Sequence, residues 1–403
     1  MKNSFFRYRV ALTVVALLFT SSATSFAQSG STRPRRVDPA TNQTPTPTPQ
    51  PRPATSAPAV ATAASGSGDT ARAYALLQQK QYAEAAREAR AAAAADPKNS
   101  EAWKLAGFAA FYQNQFREAA TDLQRALELQ RAAKEEDAPT VDALAQSLVR
   151  SDEFERALPL LVSATTRANA KPDAALLYYR GLAEYRTSKP IDAERSFNAA
   201  VKVDPKNSAS LFYLGRISYE RNQTDAAIAA LNRATLADPR FSEAWTLLTY
   251  AYLRRAATAT VSAQADADYL NAVRSSDSLG RVRPGDETAA ALNGQALIGA
   301  KQFPRAVAVL ERAGANPNAQ GPTLYLLGVA YSRAKNFPKA IATFERAAAK
   351  TPDDVNIYRE LGYAYEVSKQ YAKALAVYQK GSELAPGDAD FKESMERVRP
   401  FAK

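Results

Sequence analysis

Cysteine and histidine are both absent from the sequence. That excludes nucleophilic catalysis resting on a thiolate or an imidazole, and most zinc sites with it. It also excludes a disulfide framework, which is neutral about compartment. No apolar run is long enough to cross a membrane. Residues 10–19 form an apolar stretch of about ten residues, where a ~30 Å hydrocarbon core needs about twenty. No cysteine follows that stretch, so a lipidated-cysteine anchor is excluded as well. Paired carboxylates exist at Glu135 and Glu136, but they read as a solvated helix end. No catalytic residue, cofactor or metal site is expected.

The net charge of +11 is unevenly placed. Lys2, Arg7 and Arg9 supply three charges, and Arg33, Arg35, Arg36 and Arg52 less Asp38 supply three more. The remaining five are spread over more than three hundred residues. A body this mildly basic does not point to nucleic acid.

Residues 1–27 read as a secretory signal peptide: a basic start, the apolar run, then small residues ending Ser25-Phe26-Ala27. An uncleaved anchor is the alternative, disfavoured by the short run. The expected location is periplasmic or extracellular, with no stable membrane insertion after cleavage. Residues 28–68 are a different polymer, with Thr44-Pro45-Thr46-Pro47-Thr48-Pro49 at the centre. Proline removes backbone donors and favours extended polyproline II, so a disordered spacer is expected. A ligand for a proline-recognition domain is the other reading.

The remainder repeats. Leu327-Gly328, Tyr331, Phe337, Ala340, Phe344 and Pro352 recur 34 positions later as Leu361-Gly362, Tyr365, Tyr371, Ala374, Tyr378 and Pro386. Gly181, Ala193, Phe197, Ala200 and Pro205 recur at the same offset as Gly215, Ala227, Leu231, Ala234 and Pro239. Weaker copies hold Gly107 and Phe116, Leu144 and Phe154, and Gly294 and Phe303. In the sixth copy, eleven extra residues fall near residues 256–266, as a longer helix pair or a loop.

This skeleton resembles the tetratricopeptide repeat family, whose unit is a helix-turn-helix of about 34 residues. The resemblance implies an all-α, right-handed superhelical solenoid of about nine units, closed by a capping helix. Units one and two fall in residues 69–137, three to five in 138–240, six with its insertion in 241–286, seven to nine in 287–386, and the cap in 387–403. Gly328 and Ala340 are expected where two helices cross closely. Each closing proline should end a second helix, and turns such as Asp204-Pro205-Lys206-Asn207 should cap the next first helix. The second helix of unit two is expected to run on to about Glu136.

In that family the first helix of each unit lines a concave face through its second, fifth, ninth, twelfth and thirteenth positions. Carried over, these positions give Tyr178, Tyr185 and Arg186, then Phe212, Arg216 and Tyr219. They continue with Tyr250 and Arg254, Tyr325 and Arg333, and Arg359 and Tyr363. Tyrosine and arginine are common hot-spot residues, and an arginine fork suits a carboxylate. Interhelical packing is the alternative role for any one ring. A clamp for chaperone C-termini would place Lys and Asn where Tyr178, Tyr179, Leu182, Phe212, Tyr213 and Arg216 stand, so that ligand is not expected. The resemblance implies a non-enzymatic scaffold for a protein or peptide partner in the cell envelope. An adaptor in the assembly or export of a cell-surface polymer or secretion complex is the alternative. Partner identity and oligomeric state are not written in the chain.

Overall fold

The computed structural model describes residues 68–168 and 171–402. The signal peptide and residues 28–67 of the linker lie outside the described residues. Nineteen α-helices and one 3₁₀ turn are present, with no strand among the described residues. Eighteen helices form nine antiparallel pairs. They are α1 (Gly68–Gln78) with α2 (Tyr82–Ala95), α3 (Ser100–Tyr112) with α4 (Phe116–Ala133), and α5 (Ala138–Arg150) with α6 (Phe154–Thr166). Next come α7 (Ala174–Arg186) with α8 (Pro190–Val203), α9 (Ser208–Glu220) with α10 (Thr224–Ala237), and α11 (Ser242–Thr258) with α12 (Ser262–Val282). The last three are α13 (Glu287–Gly299) with α14 (Phe303–Gly314), α15 (Gly321–Arg333) with α16 (Phe337–Lys350), and α17 (Val355–Val367) with α18 (Tyr371–Leu384). The α19 helix (Ala389–Val398) and the turn Arg399–Phe401 close the array. The expected all-helical solenoid is the fold.

Local chemistry sets the helix ends. Several first helices start on an Asn or Asp whose side chain accepts an orphan backbone N–H. Asn99 accepts from Ala102 N at 3.0 Å, Asp137 from Thr140 N at 2.7 Å, and Asn207 from Ser210 N at 2.9 Å. Second helices α2, α8, α10, α12, α16 and α18 each stop two residues before a proline, at Pro97, Pro205, Pro239, Pro284, Pro352 and Pro386. A proline cannot donate the next helical bond and bars helix from the residue before it. Unit two lacks that proline, and α4 ends at Ala133 on a left-handed Lys134 instead of running to Glu136. The preceding loop is tied down again by position four of three first helices. Trp103 and Trp245 donate Nε1–H to the carbonyls of Pro97 and Pro239, and the Tyr358 hydroxyl donates to that of Pro352.

The crossing within each pair is close because glycine allows it. A Cβ on Gly328 would lie 2.5 Å from the Phe344 ring, and one on Gly215 2.6 Å from Leu231. Phe197, Leu231, Phe344 and Tyr378 fill the space so left and are all but fully buried. Each first helix also touches the first helix of the next pair, from α1 through to α17. No second helix makes comparable contact with the next second helix. The array therefore bends with the first helices as its inner row.

Unit six departs from the plan. Its eleven extra residues are helical: α11 has 17 residues where α9 has 13, and α12 has 21 where α10 has 14. Thr249 stands where the other strong units carry glycine, and its hydroxyl donates to Ser275 Oγ at 2.8 Å. Next to it, Asn293 donates to Ser276 Oγ at 2.9 Å. Arg255 forks onto the fully buried Asp268. A satisfied polar seam here replaces the apolar crossing. The hydrophobic core accordingly falls into two main clusters, one reaching Ala251 and the other starting at Leu253.

Candidate partner-binding face

The inner row carries all the tyrosines and arginines singled out above, but they do not form one continuous surface. Tyr178 and Phe212 are core residues, 8% and 9% exposed, and are not open to a ligand. Position five points into the gap between adjacent first helices, where an aromatic ring fills more apolar surface than it would in water. Tyr178 packs against Tyr179, Phe197 and Tyr213, with ring centroids 5.3 to 6.3 Å apart. Phe212 packs on Phe241 at 4.9 Å.

Above this floor, α7, α9 and α11 bring Tyr185, Arg216, Tyr219, Tyr250 and Arg254 together. The Tyr185 hydroxyl donates to Glu220 Oε1 at 2.6 Å, and Arg216 Nε donates to the same oxygen at 3.0 Å. The Arg216 guanidinium also lies 5.3 Å from the centre of the Tyr185 ring. Burial raises the Tyr185 phenol pKa, and the bond to Glu220 adds to it. Burial works against the Arg216 cation, but Tyr185 and Glu220 outweigh it and raise its pKa. Burial likewise raises the half-buried Tyr250, with Tyr219 adding a little.

Arg254 is different. It stacks 3.3 Å above the Tyr219 ring, donates to Tyr219 O at 2.8 Å and to Asn222 Oδ1 at 3.1 Å, and meets no carboxylate. Its Nε is buried without a partner. Burial therefore lowers its pKa, with only Tyr219 opposing. Arg186 is exposed, lies 5.3 Å from the Phe154 ring, and opposes the rise that burial gives the Tyr213 pKa. Together these groups make an aromatic, amphipathic strip with cationic edges, suited to a polypeptide carrying acidic and apolar groups.

The remaining residues lie at the far end. Arg333 forks onto Glu360, with its shorter bond at 2.8 Å. Arg359 bonds Asp388 and Asn356. Tyr325 is half-buried against Phe344 at 6.2 Å, and burial followed by Glu360 and Asp354 raises its pKa. Tyr363 is exposed beside Phe337. Here the cations are already neutralised by the protein itself.

Two residues of the strip escaped the sequence reading. Glu220 stands at position thirteen, where neighbouring units carry arginine, and it organises Tyr185 and Arg216. Arg150 stands at position thirteen of α5 and donates to the Tyr179 hydroxyl at 2.8 Å. The signal for Arg150 was present. It precedes Arg186 by 36 residues, because the α6–α7 connection is longer than the others, so a strict 34-residue ruler passes over it.

No helix among the described residues is long and apolar enough to cross a membrane. Family models described as tetratricopeptide repeat match residues 143–190 and 325–389, and another matches 187–249. No curated protein matches the chain. Among solved structures, the C-terminal part of a TPR repeat-containing protein from Cytophaga hutchinsonii is 15% identical. That match covers 72% of this chain and 98% of the other, with a TM-score of 0.44. YrrB, described as a TPR protein with an unusual peptide-binding site, is 15% identical over 50% of this chain and 99% of its own, with a TM-score of 0.41. A MamA fragment from Desulfovibrio magneticus RS-1 is 22% identical over 45% and 97%, with a TM-score of 0.39.

Proposed function

We propose that this chain, which carries tetratricopeptide repeats at residues 143–249 and 325–389, is an exported, non-enzymatic scaffold. Its inner row across units three to six binds a peptide or an extended segment of a protein partner. The observation that carries this reading is the strip formed by Tyr185, Arg216, Tyr219, Tyr250 and Arg254. Its rings and cations face the row where successive first helices meet, and they rest on a packed aromatic floor. Large rigid rings beside guanidinium groups are the side chains that concentrate binding energy at interfaces. The helix pairs occupy nearly all of the described residues beyond the linker.

Affinity capture from the envelope fraction tests the scaffold. The triple variant Tyr185→Ala/Arg216→Ala/Tyr219→Ala should lose partners that the parent chain retains, and equal recovery of every partner would remove the strip from the account. The export half of the reading rests on residues 1–27. N-terminal sequencing of the mature chain should give Gln28 as its first residue, and a chain that keeps Met1 would contradict cleavage.

A further inference from the structure

Position thirteen of the first helices forms a column along the inner row. In units three, four and six it holds Arg150, Arg186 and Arg254, and in unit five it holds Glu220. Each of the three arginines is bedded on aromatic rings. Arg150 lies 4.8 Å from the Phe116 ring centre, Arg186 5.3 Å from Phe154, and Arg254 3.3 Å from Tyr219. None of the three pairs with a carboxylate among the described residues. Their arginine neighbours do, as in Arg167–Asp142, Arg180–Glu184 and Arg255–Asp268. The cause is the residue at position six of the next first helix. It is Tyr179 opposite Arg150 and Tyr213 opposite Arg186, and the equivalent position after Arg254 holds Leu292. A phenol accepts hydrogen bonds but brings no charge. A guanidinium with a ring behind it keeps its planar fork fixed, and its remaining N–H groups suit a carboxylate.

We propose that this column reads an extended acidic peptide by its charge spacing, an inference that rests on the inner row being the peptide site. Neighbouring helices lie about 8–10 Å apart and an extended chain rises about 3.3 Å per residue, so one unit spans roughly three ligand residues. Arg150 and Arg186 therefore take two acidic residues about three apart. Glu220, held by Tyr185 and Arg216, closes its own ion pair at the next step, so no cation is free there and a non-acidic residue fits. Arg254 takes a further acid about six residues beyond the second. The ligand pattern is acid-x-x-acid-x-x-nonacid-x-x-acid, and the closed Arg216–Glu220 pair sets its register.

Fluorescence anisotropy with the full chain at low salt tests this. The probe is a labelled Ser/Gly decapeptide with Asp at its first, fourth and tenth places. One competitor has the same composition permuted, and a second adds Asp at the seventh place. The patterned probe should bind roughly tenfold more tightly than either competitor. Arg186→Gln and Arg254→Gln should each weaken it roughly two- to fivefold, while Arg233→Gln on an outer helix should leave it unchanged. Arg186 is exposed, so its variant decides the matter if Arg254→Gln lowers the melting temperature. Equal binding of all three peptides would overturn the spacing, and so would tighter binding of a single-stranded RNA of equal charge. If the triple variant above still loses its native partner while none of the acidic peptides binds, the peptide site stands and the acidic ligand class falls.

Discussion

Arg254 and Arg333 occupy the same thirteenth position of their first helices, two units apart. Arg254 rests on the Tyr219 ring and meets only neutral oxygens. Arg333 forks onto Glu360, which comes from position six of α17. The corresponding residue of α13 is Leu292, which carries no charge. One residue on a neighbouring helix therefore decides whether an inner-row arginine is neutralised within the fold. The regions differ in their turns as well. The tight turn inside every pair but the sixth places its middle residue in the left-handed region. That residue is Asn114, Asp152, Ser188 and Asn222 in units two to five, but Lys80 in unit one and Lys301, Lys335 and Lys369 in units seven to nine. Unit six has no such residue, and the core changes cluster within its α11. Units two to five have short polar turn residues, and the thirteenth-position arginines of units three, four and six meet no carboxylate. The C-terminal region has lysine turns and closed ion pairs.

The largest expected effect probes whether the two regions are separable. A Cβ on Gly328 would sit 2.5 Å from Phe344, and one on Gly181 2.8 Å from Phe197. Gly328→Leu should cost about 1–3 kcal/mol, as overpacking of a close crossing does. Because repeats couple to their neighbours and the core changes cluster at α11, the loss of amide protection should concentrate beyond α13. Gly181→Leu should give the mirror image. Hydrogen exchange read by mass spectrometry distinguishes this from a uniform loss over all nine pairs, which would mean that the polar seam in unit six transmits strain as well as an apolar layer does.

A smaller effect is expected from opening one closed pair. Glu360→Gln keeps an acceptor for Arg333 but removes the charge, making the C-terminal row resemble units three to six. Such a half-buried pair contributes up to about 1 kcal/mol. Affinity for an acidic peptide at low salt should therefore rise by roughly two- to fivefold and return to the parent value at high salt. Unchanged affinity would show that position thirteen is not presented to ligand at this end.

Much of the fold was legible because its causes are local. The closing prolines, the Asn and Asp caps and the glycine at the crossing each act within one unit, so spacing alone places them. The candidate site was less legible because its causes run between units. The position of Tyr178 says which helix face it is on, but burial depends on Phe197 and Tyr213 beside it. Arg333 and Arg359 look like Arg186 and Arg254 until Glu360 and Asp388 are placed beside them. Glu220 was passed over because attention to tyrosine and arginine leaves out the acid that orders them. The eleven added residues were visible as an insertion, but their division between α11 and α12 depends on how far each helix continues past its neighbours.

The smallest effect concerns the turns. A left-handed conformation costs an ordinary residue about 1–2 kcal/mol, and Asn less, because its short side chain bonds locally. Lys335 adopts φ 63° and Asn222 φ 60° at equivalent places. Glycine relieves that cost but loses more chain entropy on folding, which offsets part of the gain. Lys335→Gly should therefore stabilise the C-terminal region by about 0.5 kcal/mol, while Asn222→Gly should change the N-terminal region by no more than a few tenths. Both are measurable as shifts in denaturant midpoint at constant slope. If the two substitutions stabilise equally, the side chain at the turn does not distinguish the regions. The contrast between them would then rest on the ion pairs and on the polar seam of unit six.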